Sequence, residues 1–447
     1  MADQLTESYI GSHPRSAALH AKARGLFAAQ GATHFARVQT PFRPYISHAS
    51  GSRKWDIDGN EYVDYVMGHG ALVLGHSHPA VVAAVQEQAA RGFHYGDSHP
   101  LEVEWAERIR ALMPSAERIE FFASGQEANQ MSLRIGRAFT GRKRLLKFKY
   151  NYHGWADELC AEGSAGALDD YVTVIPANDL VALEKELATR TYAVVLVEGG
   201  GGRVAGRIPT SVEFFQALPG IARTYGTVMV LDEVVTGFRE APGGWQSVVG
   251  ITPDLTTIGK AASGGLPSGA LVGRADLLSV LSPATPPNKL VVHGGTWNAV
   301  PLTCAAGIAA CDLYVGGGPQ RAAREMGNYL RHEANSMLRR SGVSARLYGR
   351  SVLHLYIGDL DREPADDTLP PTTEVTKLAA PQMIPIYKRL DLHLLQRGVA
   401  SMRGEALVLS AAHTEADIDR TVLALEDAVR AMVEEGMIAR VKEPVAG

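Results

Sequence analysis

The stretch Val228-Met-Val-Leu-Asp232-Glu-Val234, followed by Thr257-Ile-Gly-Lys260-Ala-Ala-Ser-Gly-Gly-Leu-Pro267, decides how this chain reads. Val228 to Leu231 is a short, unbroken apolar run, the pattern of a strand buried on both faces of a parallel sheet. Such a strand delivers Asp232 to its carboxyl end, the edge at which open α/β sheets bind ligands. Lys260 follows twenty-eight positions later, between Gly259 and a flexible Ala-Ala-Ser-Gly-Gly segment.

Taken singly, a lysine is ordinarily a solvated surface group, and a strand-end aspartate ordinarily caps a turn. Together, within apolar and glycine-rich flanks, they suit pyridoxal phosphate chemistry. The lysine forms a Schiff base with the cofactor's aldehyde, and the acid pairs with its pyridinium nitrogen.

Working outward, Ile119 to Ala123 reads as another strand, closed by Ser124-Gly125-Gln126 and a helix whose Ala128, Met131, Ile135 and Ala138 share one face. A small-residue turn feeding a helix N-terminus can bind phosphate through free N–H groups and the helix dipole, and alone is more often a plain feature of α/β architecture. Lys143 to Tyr150, Tyr171 to Pro176 and Tyr192 to Val197 are further strands alternating with helical segments. Alternation of this kind predicts one mainly parallel sheet covered by helices. Gly199-Gly-Gly-Gly202 imitates a dinucleotide motif, but Gly206 and Pro209 break the helix that motif requires.

Upstream, residues to about Gly31 read as a helical arm, and Trp55 to Val66 as a hairpin about Asp58-Gly59. Val81 to Arg91 and Glu102 to Met113 are expected helices. Downstream come a long helix from Gln320 to Leu338, strands near Ser344–Tyr348, Leu353–Ile357 and Leu407–Ser410, and an exposed loop over Asp359–Thr373. Thr414 and Asp417 form a capping box for a last helix with the stripe Ile418, Val422, Leu425, Val429 and Met432. The expected partition is an N-terminal arm and hairpin (1–66), a large domain (67–318) and a smaller α+β domain completed by the C-terminal part (319–447).

Composition narrows the function classes. Hydrophobic content of 46% and charged content of 21% are ordinary for a globular protein, and a net charge of −4 gives no reason to expect nucleic acid or an anionic membrane. No apolar run approaches membrane-spanning length. The N-terminus does not read as a signal peptide, and Cys160, Cys304 and Cys311 form neither a metal-ligand pattern nor a disulfide framework. A soluble protein of the reducing cytoplasm is the simplest expectation.

The motifs now on the page resemble those of the class III aminotransferases of fold type I, over nearly the whole chain. Asp232 and Lys260 look like that family's ring-nitrogen acid and Schiff-base lysine, and Val234 like the residue packed beneath the ring. Ser124-Gly125-Gln126-Glu127-Ala128 resembles its phosphate cup, and Tyr152-His153-Gly154 the segment whose aromatic ring stacks on the pyridine. Gly295-Thr296 resembles the pair that reaches the phosphate of a neighbouring subunit, which implies a homodimer with shared sites. Gly68 to His76, Ser98 to Arg108, Ala138 to Arg142, Gly265 to Gly269 and the segment around Arg403-Gly404 resemble most the branch of glutamate-1-semialdehyde aminomutases, and within it the D-phenylglycine aminotransferases. By that resemblance Arg37, His69 and Arg403 hold a substrate carboxylate.

The sequence departs from the family's pattern at three places. Gln126 replaces a threonine, Gly199 follows Glu198 where proline is usual, and Val300 precedes Pro301 where asparagine is usual. The resemblance implies an aminotransferase working between a small amino donor and a keto acceptor. An aminomutase or racemase on the same scaffold, or a silent homologue retained for binding, are the alternatives.

Overall fold

The computed structural model describes residues 3–364 and 366–440. Two compact units divide the chain: one comprises Met1–His69, Leu74–His78 and Ala322–Gly447, the other Gly70–Val73 and Pro79–Arg321.

In the first unit, β1 (Ile46–Ser50), β2 (Arg53–Asp56) and β3 (Glu61–Asp64) form an antiparallel meander, with the expected hairpin between β2 and β3. The second unit holds β4 (Arg118–Phe122), β5 (Arg144–Phe148), β6 (Val172–Ile175), β7 (Tyr192–Glu198), a two-residue pair β8 (Gly201–Gly202) and β9 (Ile208–Pro209), β10 (Val228–Glu233), β11 (Leu255–Gly259) and β12 (Gly269–Gly273). The first unit then resumes with β13 (Ala345–Gly349), β14 (Val352–Ile357), β15 (Val399–Ala400) and β16 (Ala406–Val408). Strand β15 adds to β3 in parallel, so segments from both ends of the chain share one sheet.

The second unit's sheet has seven strands in the order β4-β12-β11-β10-β7-β5-β6. Only β12 runs antiparallel to its neighbours. The unbroken apolar strands are explained by what lies on each face. Val194, Leu196, Val228 and Val230 join the core under the helix Gly125–Thr140, while Val195, Val197, Met229 and Leu231 join a second core with Phe214, Phe215 and Leu218 of the helix Val212–Thr224. Alternate residues thus enter opposite cores, so every position of a central strand is apolar.

The last helix, Glu415–Glu434, starts on the expected capping box, with Thr414 accepting from the Asp417 N–H and Asp417 from the Thr414 N–H. Ile418, Leu425, Val429 and Met432 are buried along it, and Val422 packs against the same core. Strands β11 and β12 and the helix Pro301–Tyr314 are not legible in the sequence. The helix is buried almost all round and carries no polar face for a periodic pattern to reveal.

Candidate active site

Four parallel strands of the second unit end beside one another and supply most of the site. β10 carries two consecutive acids with opposite fates, because successive side chains of a strand point to opposite faces. Glu233 is consumed structurally: it accepts from Thr236 Oγ1 at 3.0 Å and from the backbone of Gln246, in the first turn of the helix Gly244–Val249. Asp232 faces the helix Gly125–Thr140. Its Oδ2 accepts from Asn129 Nδ2 at 2.7 Å and meets His153 Nδ1 at 2.7 Å, and its Oδ1 accepts from the Val234 N–H at 3.0 Å. Asn129 is held in turn, its Oδ1 accepting from Thr257 Oγ1 at 2.7 Å. With Asn129, His153 and the Val234 N–H against its oxygens, this buried carboxyl group is fixed in place.

Lys260 begins a short turn after β11, in the left-handed region at φ 48°. For a non-glycine residue that conformation is uncommon and marks a position fixed by its surroundings. Its amine has no hydrogen-bond or ion-pair partner among the described residues. Burial lowers its proton affinity, Asp232 and Glu198 pull it back up, and the buried Arg239 guanidinium works with burial.

Ser124 caps the helix Gly125–Thr140, accepting from the Glu127 N–H at 3.3 Å. The N–H groups of Gly125 and Gln126 lie in the first turn, beyond the reach of intrahelical bonds, at the positive end of the helix dipole. Glycine is required at 125 by close approach: a Cβ there would lie 2.5 Å from a Val234 methyl. Gln126 uses its side chain elsewhere, its Oε1 accepting from the Trp155 N–H at 2.7 Å. Tyr152 is 58% exposed, whereas His153 is buried, its Nε2 without a partner among the described residues. Thr296 is exposed, its carbonyl accepting from His94 Nε2 at 2.5 Å.

A pyridoxal phosphate fits these residues on their own chemistry. A desolvated amine and an imidazole nitrogen, both without a partner among the described residues, a buried acid fixed by its hydrogen bonds and a free helix N-terminus match an aldehyde, a pyridine nitrogen and a phosphate.

The structure therefore brings together Ser124, Gly125, Gln126, Tyr152, His153, Asp232, Val234 and Lys260. Arg37, His69 and Arg403 belong to the first unit. Arg37 is exposed and donates to Thr33 Oγ1 at 3.1 Å. His69 sits in a left-handed run with Met67 and Gly68, and the His34 ring meets it edge-on at 5.7 Å. Arg403 is half-buried in a left-handed turn at φ 59°.

Asn129, His34 and the carboxylate of Glu198 were not singled out by sequence reasoning. For Asn129 a signal existed, since it is a polar residue among the buried positions of an otherwise small and apolar helix face. Glu198 ends β7 beside Asp232, and its bonds run to loop backbone, which no side-chain pattern announces.

Comparison with known proteins agrees with this fold. The family model for class III aminotransferases matches residues 34–350. A glutamate-1-semialdehyde 2,1-aminomutase of Desulforamulus reducens is 34% identical over 410 residues, covering 88% of this chain and 91% of its own. Among solved structures, a β-phenylalanine aminotransferase of Variovorax paradoxus superimposes with a TM-score of 0.87 at 31% identity, covering 98% of this chain and 99% of its own. An ω-transaminase of Sphaerobacter thermophilus gives 0.84 at 30% identity, covering 93% and 97%. With a family model spanning most of its length and near-full-length relatives above 30% identity, the chain belongs to the class III aminotransferases, enzymes of fold type I that work with pyridoxal phosphate.

Proposed function

We propose that the protein moves an amino group between a carboxylate-bearing amino compound and a keto acid. The observation that carries this reading is the pairing of an unpartnered, desolvated Lys260 amine with an Asp232 carboxylate locked by three donors. When bound, the cofactor supplies an aldehyde for the amino group and a protonated ring that accepts the electrons left on the substrate carbon.

The protein's residues do the rest. Lys260 would hold the cofactor through its amine and would move the proton at the substrate carbon, and burial lowers the proton affinity of that amine. Asp232 would pair with the ring nitrogen, with His153 and Asn129 keeping its oxygens aimed. Ser124, Gly125 and Gln126 offer the phosphate hydroxyl and backbone N–H donors, Tyr152 offers a ring face, and Val234 packs beneath. Thr296, exposed on the surface, would complete the phosphate site of a second copy in a homodimer. Arg37, His69 and Arg403 would bind the substrate carboxylate, arginine by two parallel charge-assisted bonds. The three free cysteines accord with a cytoplasmic setting.

A second reading is favoured by the Desulforamulus relative's name: return of the amino group to the same skeleton, as in an aminomutase. Amino compounds added one at a time to the cofactor-loaded protein, following loss of the visible band, identify the donor. Adding an isotope-labelled keto acid then separates the two, because only an aminotransferase puts nitrogen on it. Borohydride should fix the cofactor on Lys260, and Lys260→Ala should lose the visible band while keeping the fold. A label on any other lysine sinks the assignment.

A further inference from the structure

β7 ends at Glu198, the register partner of Asp232 on the adjacent parallel strand. Two carboxylates therefore stand side by side at the sheet's carboxyl edge, with different partners. Asp232 is bound by side chains and by the N–H of Val234, whereas Glu198 is bound by the backbone of two separate loops. Its Oε2 accepts from the Tyr152 N–H at 3.0 Å and its Oε1 from the Ala205 N–H at 3.1 Å. Its own N–H donates to Asn151 Oδ1 at 2.8 Å. Glu198 is 3% exposed, so its carboxyl depends on these N–H groups rather than on water.

One of the two loops needs fastening. Arg203, Val204 and Ala205 are all left-handed, with φ of 50°, 66° and 58°. Such a run is strained in side-chain-bearing residues, and most of all in a β-branched one such as Val204. The Arg203 N–H is held by the Tyr150 carbonyl at 2.8 Å and the Gly206 N–H by Gly201 at 3.1 Å. The Ala205 N–H is held by Glu198. The departure from proline at 199 belongs to the same construction. Gly199 donates its N–H to the Asp232 carbonyl at 2.8 Å, and a Cβ there would come within 2.4 Å of Thr236 Oγ1.

We propose that Glu198 is a positioning residue for this site, a single buried carboxylate that fastens the Tyr152 segment and the left-handed turn Arg203–Ala205 to the sheet together. The inference rests on the reading above only in taking Tyr152 and Lys260 as parts of the reacting site. Burial, and then the neighbouring Asp232, push the Glu198 carboxyl up to about 8, eased by the two N–H donors and by Lys260. A carboxyl tuned in this way accepts both N–H groups whether or not it carries a proton. A glutamine cannot, since its amide has one acceptor oxygen and would turn its NH₂ toward the other N–H.

The test is amide hydrogen exchange, read by mass spectrometry on peptides covering residues 150–156 and 199–207, on apoprotein and on pyridoxal phosphate-loaded protein. Glu198→Ala should raise exchange in both segments roughly ten- to a hundredfold and open the Arg203 bond to trypsin, with β7 and β10 still protected. Glu198→Gln should loosen one segment and rescue the other. If Glu198→Ala fails to fold, the isosteric glutamine variant still decides. Unchanged exchange in both segments, or uniform loosening that includes the strands, overturns the proposal. Wild-type protein lacking a visible band with pyridoxal phosphate would overturn the aminotransferase reading instead and leave the exchange result standing.

Discussion

Asn129 donates one amide nitrogen to both Asp232 Oδ2, at 2.7 Å, and the carbonyl of His153, at 2.9 Å. One side chain thus ties the acid on β10 to the loop that carries Tyr152 and His153. Replacing it by leucine fills the space but removes a donor from a buried carboxylate. Hydrogen bonds to charged groups contribute about 1.5–3 kcal/mol, so the apoprotein should lose stability by that amount and the half-reaction should slow by roughly 10- to 100-fold. Urea unfolding and single-turnover absorbance measure both. A leucine variant as stable and as fast as wild type would show that His153 and Val234 suffice.

Gln126 stands where the family has threonine, and its side chain is occupied by the Trp155 N–H. Trp155 is 79% exposed, so freeing its N–H to water costs little. Gln126→Ala should weaken pyridoxal phosphate binding by less than about tenfold, since the backbone donors of the helix N-terminus remain. Titration of the apoprotein gives the answer. A loss beyond a hundredfold means that the Gln126 side chain itself holds the phosphate.

Val300 occupies an N-cap position, with φ −60° and ψ 146°, and offers no side-chain acceptor to the helix Pro301–Tyr314. Val300→Asn supplies one in a backbone conformation that already suits it. The expected gain is about 1 kcal/mol, seen as a higher urea midpoint. No gain would place the new amide outside the reach of the first-turn N–H groups.

Asp64 is a buried carboxylate of the first unit held by several donors. Its Oδ1 accepts from Lys54 Nζ at 2.6 Å, its Oδ2 meets His76 Nε2 at 2.7 Å, and the N–H groups of Val66 and Met67 donate at 3.1 Å. Against the penalty of burial, the Lys54 charge and these bonds hold its carboxyl well below the usual carboxylate range. A folded-state value depressed in this way stabilises the protein above the unfolded value of about 4 and ceases to do so as pH falls through the folded one. Asp64→Asn should therefore cost roughly 3–5 kcal/mol at pH 7, by leaving Lys54 unpaired, and the gap to wild type should shrink progressively below about pH 4. Urea midpoints of both proteins at pH 7 and pH 3.5 test it; an equal gap at both values rules out the carboxylate as the cause.

What the sequence made legible follows from how each signal arises. The central strands announce themselves because burial on both faces leaves no polar position in Val194 to Val197 or Val228 to Leu231. Asp232 and Lys260 are legible because charged residues in such flanks need a reason. Strand β12 is not, since Gly269 and Gly273 at its ends read as a loop. The roles of Glu198 and Asn129 are not legible for another reason: Glu198 binds the backbone of loops and Asn129 binds groups distant in sequence, and only the folded chain brings these together. The contact of His34 with His69 is of the same kind.

The strand order carries a consequence for biosynthesis. β4, which leads into Ser124 and Gly125, lies at the sheet's edge and pairs with β12 alone, Phe122 opposite Gly269. A ribosome adding roughly 5–20 residues per second needs on the order of ten seconds to reach that partner after β4 has emerged. Throughout this interval Phe121 and Phe122 sit on a strand with no ladder partner, an edge of the kind that invites pairing with other chains. The turn at Ser124 and Gly125 is thus made early in synthesis and secured late. Nascent chains stopped before Gly269 should be bound by chaperones and unable to retain the cofactor, whereas chains extended past Gly273 can close the sheet.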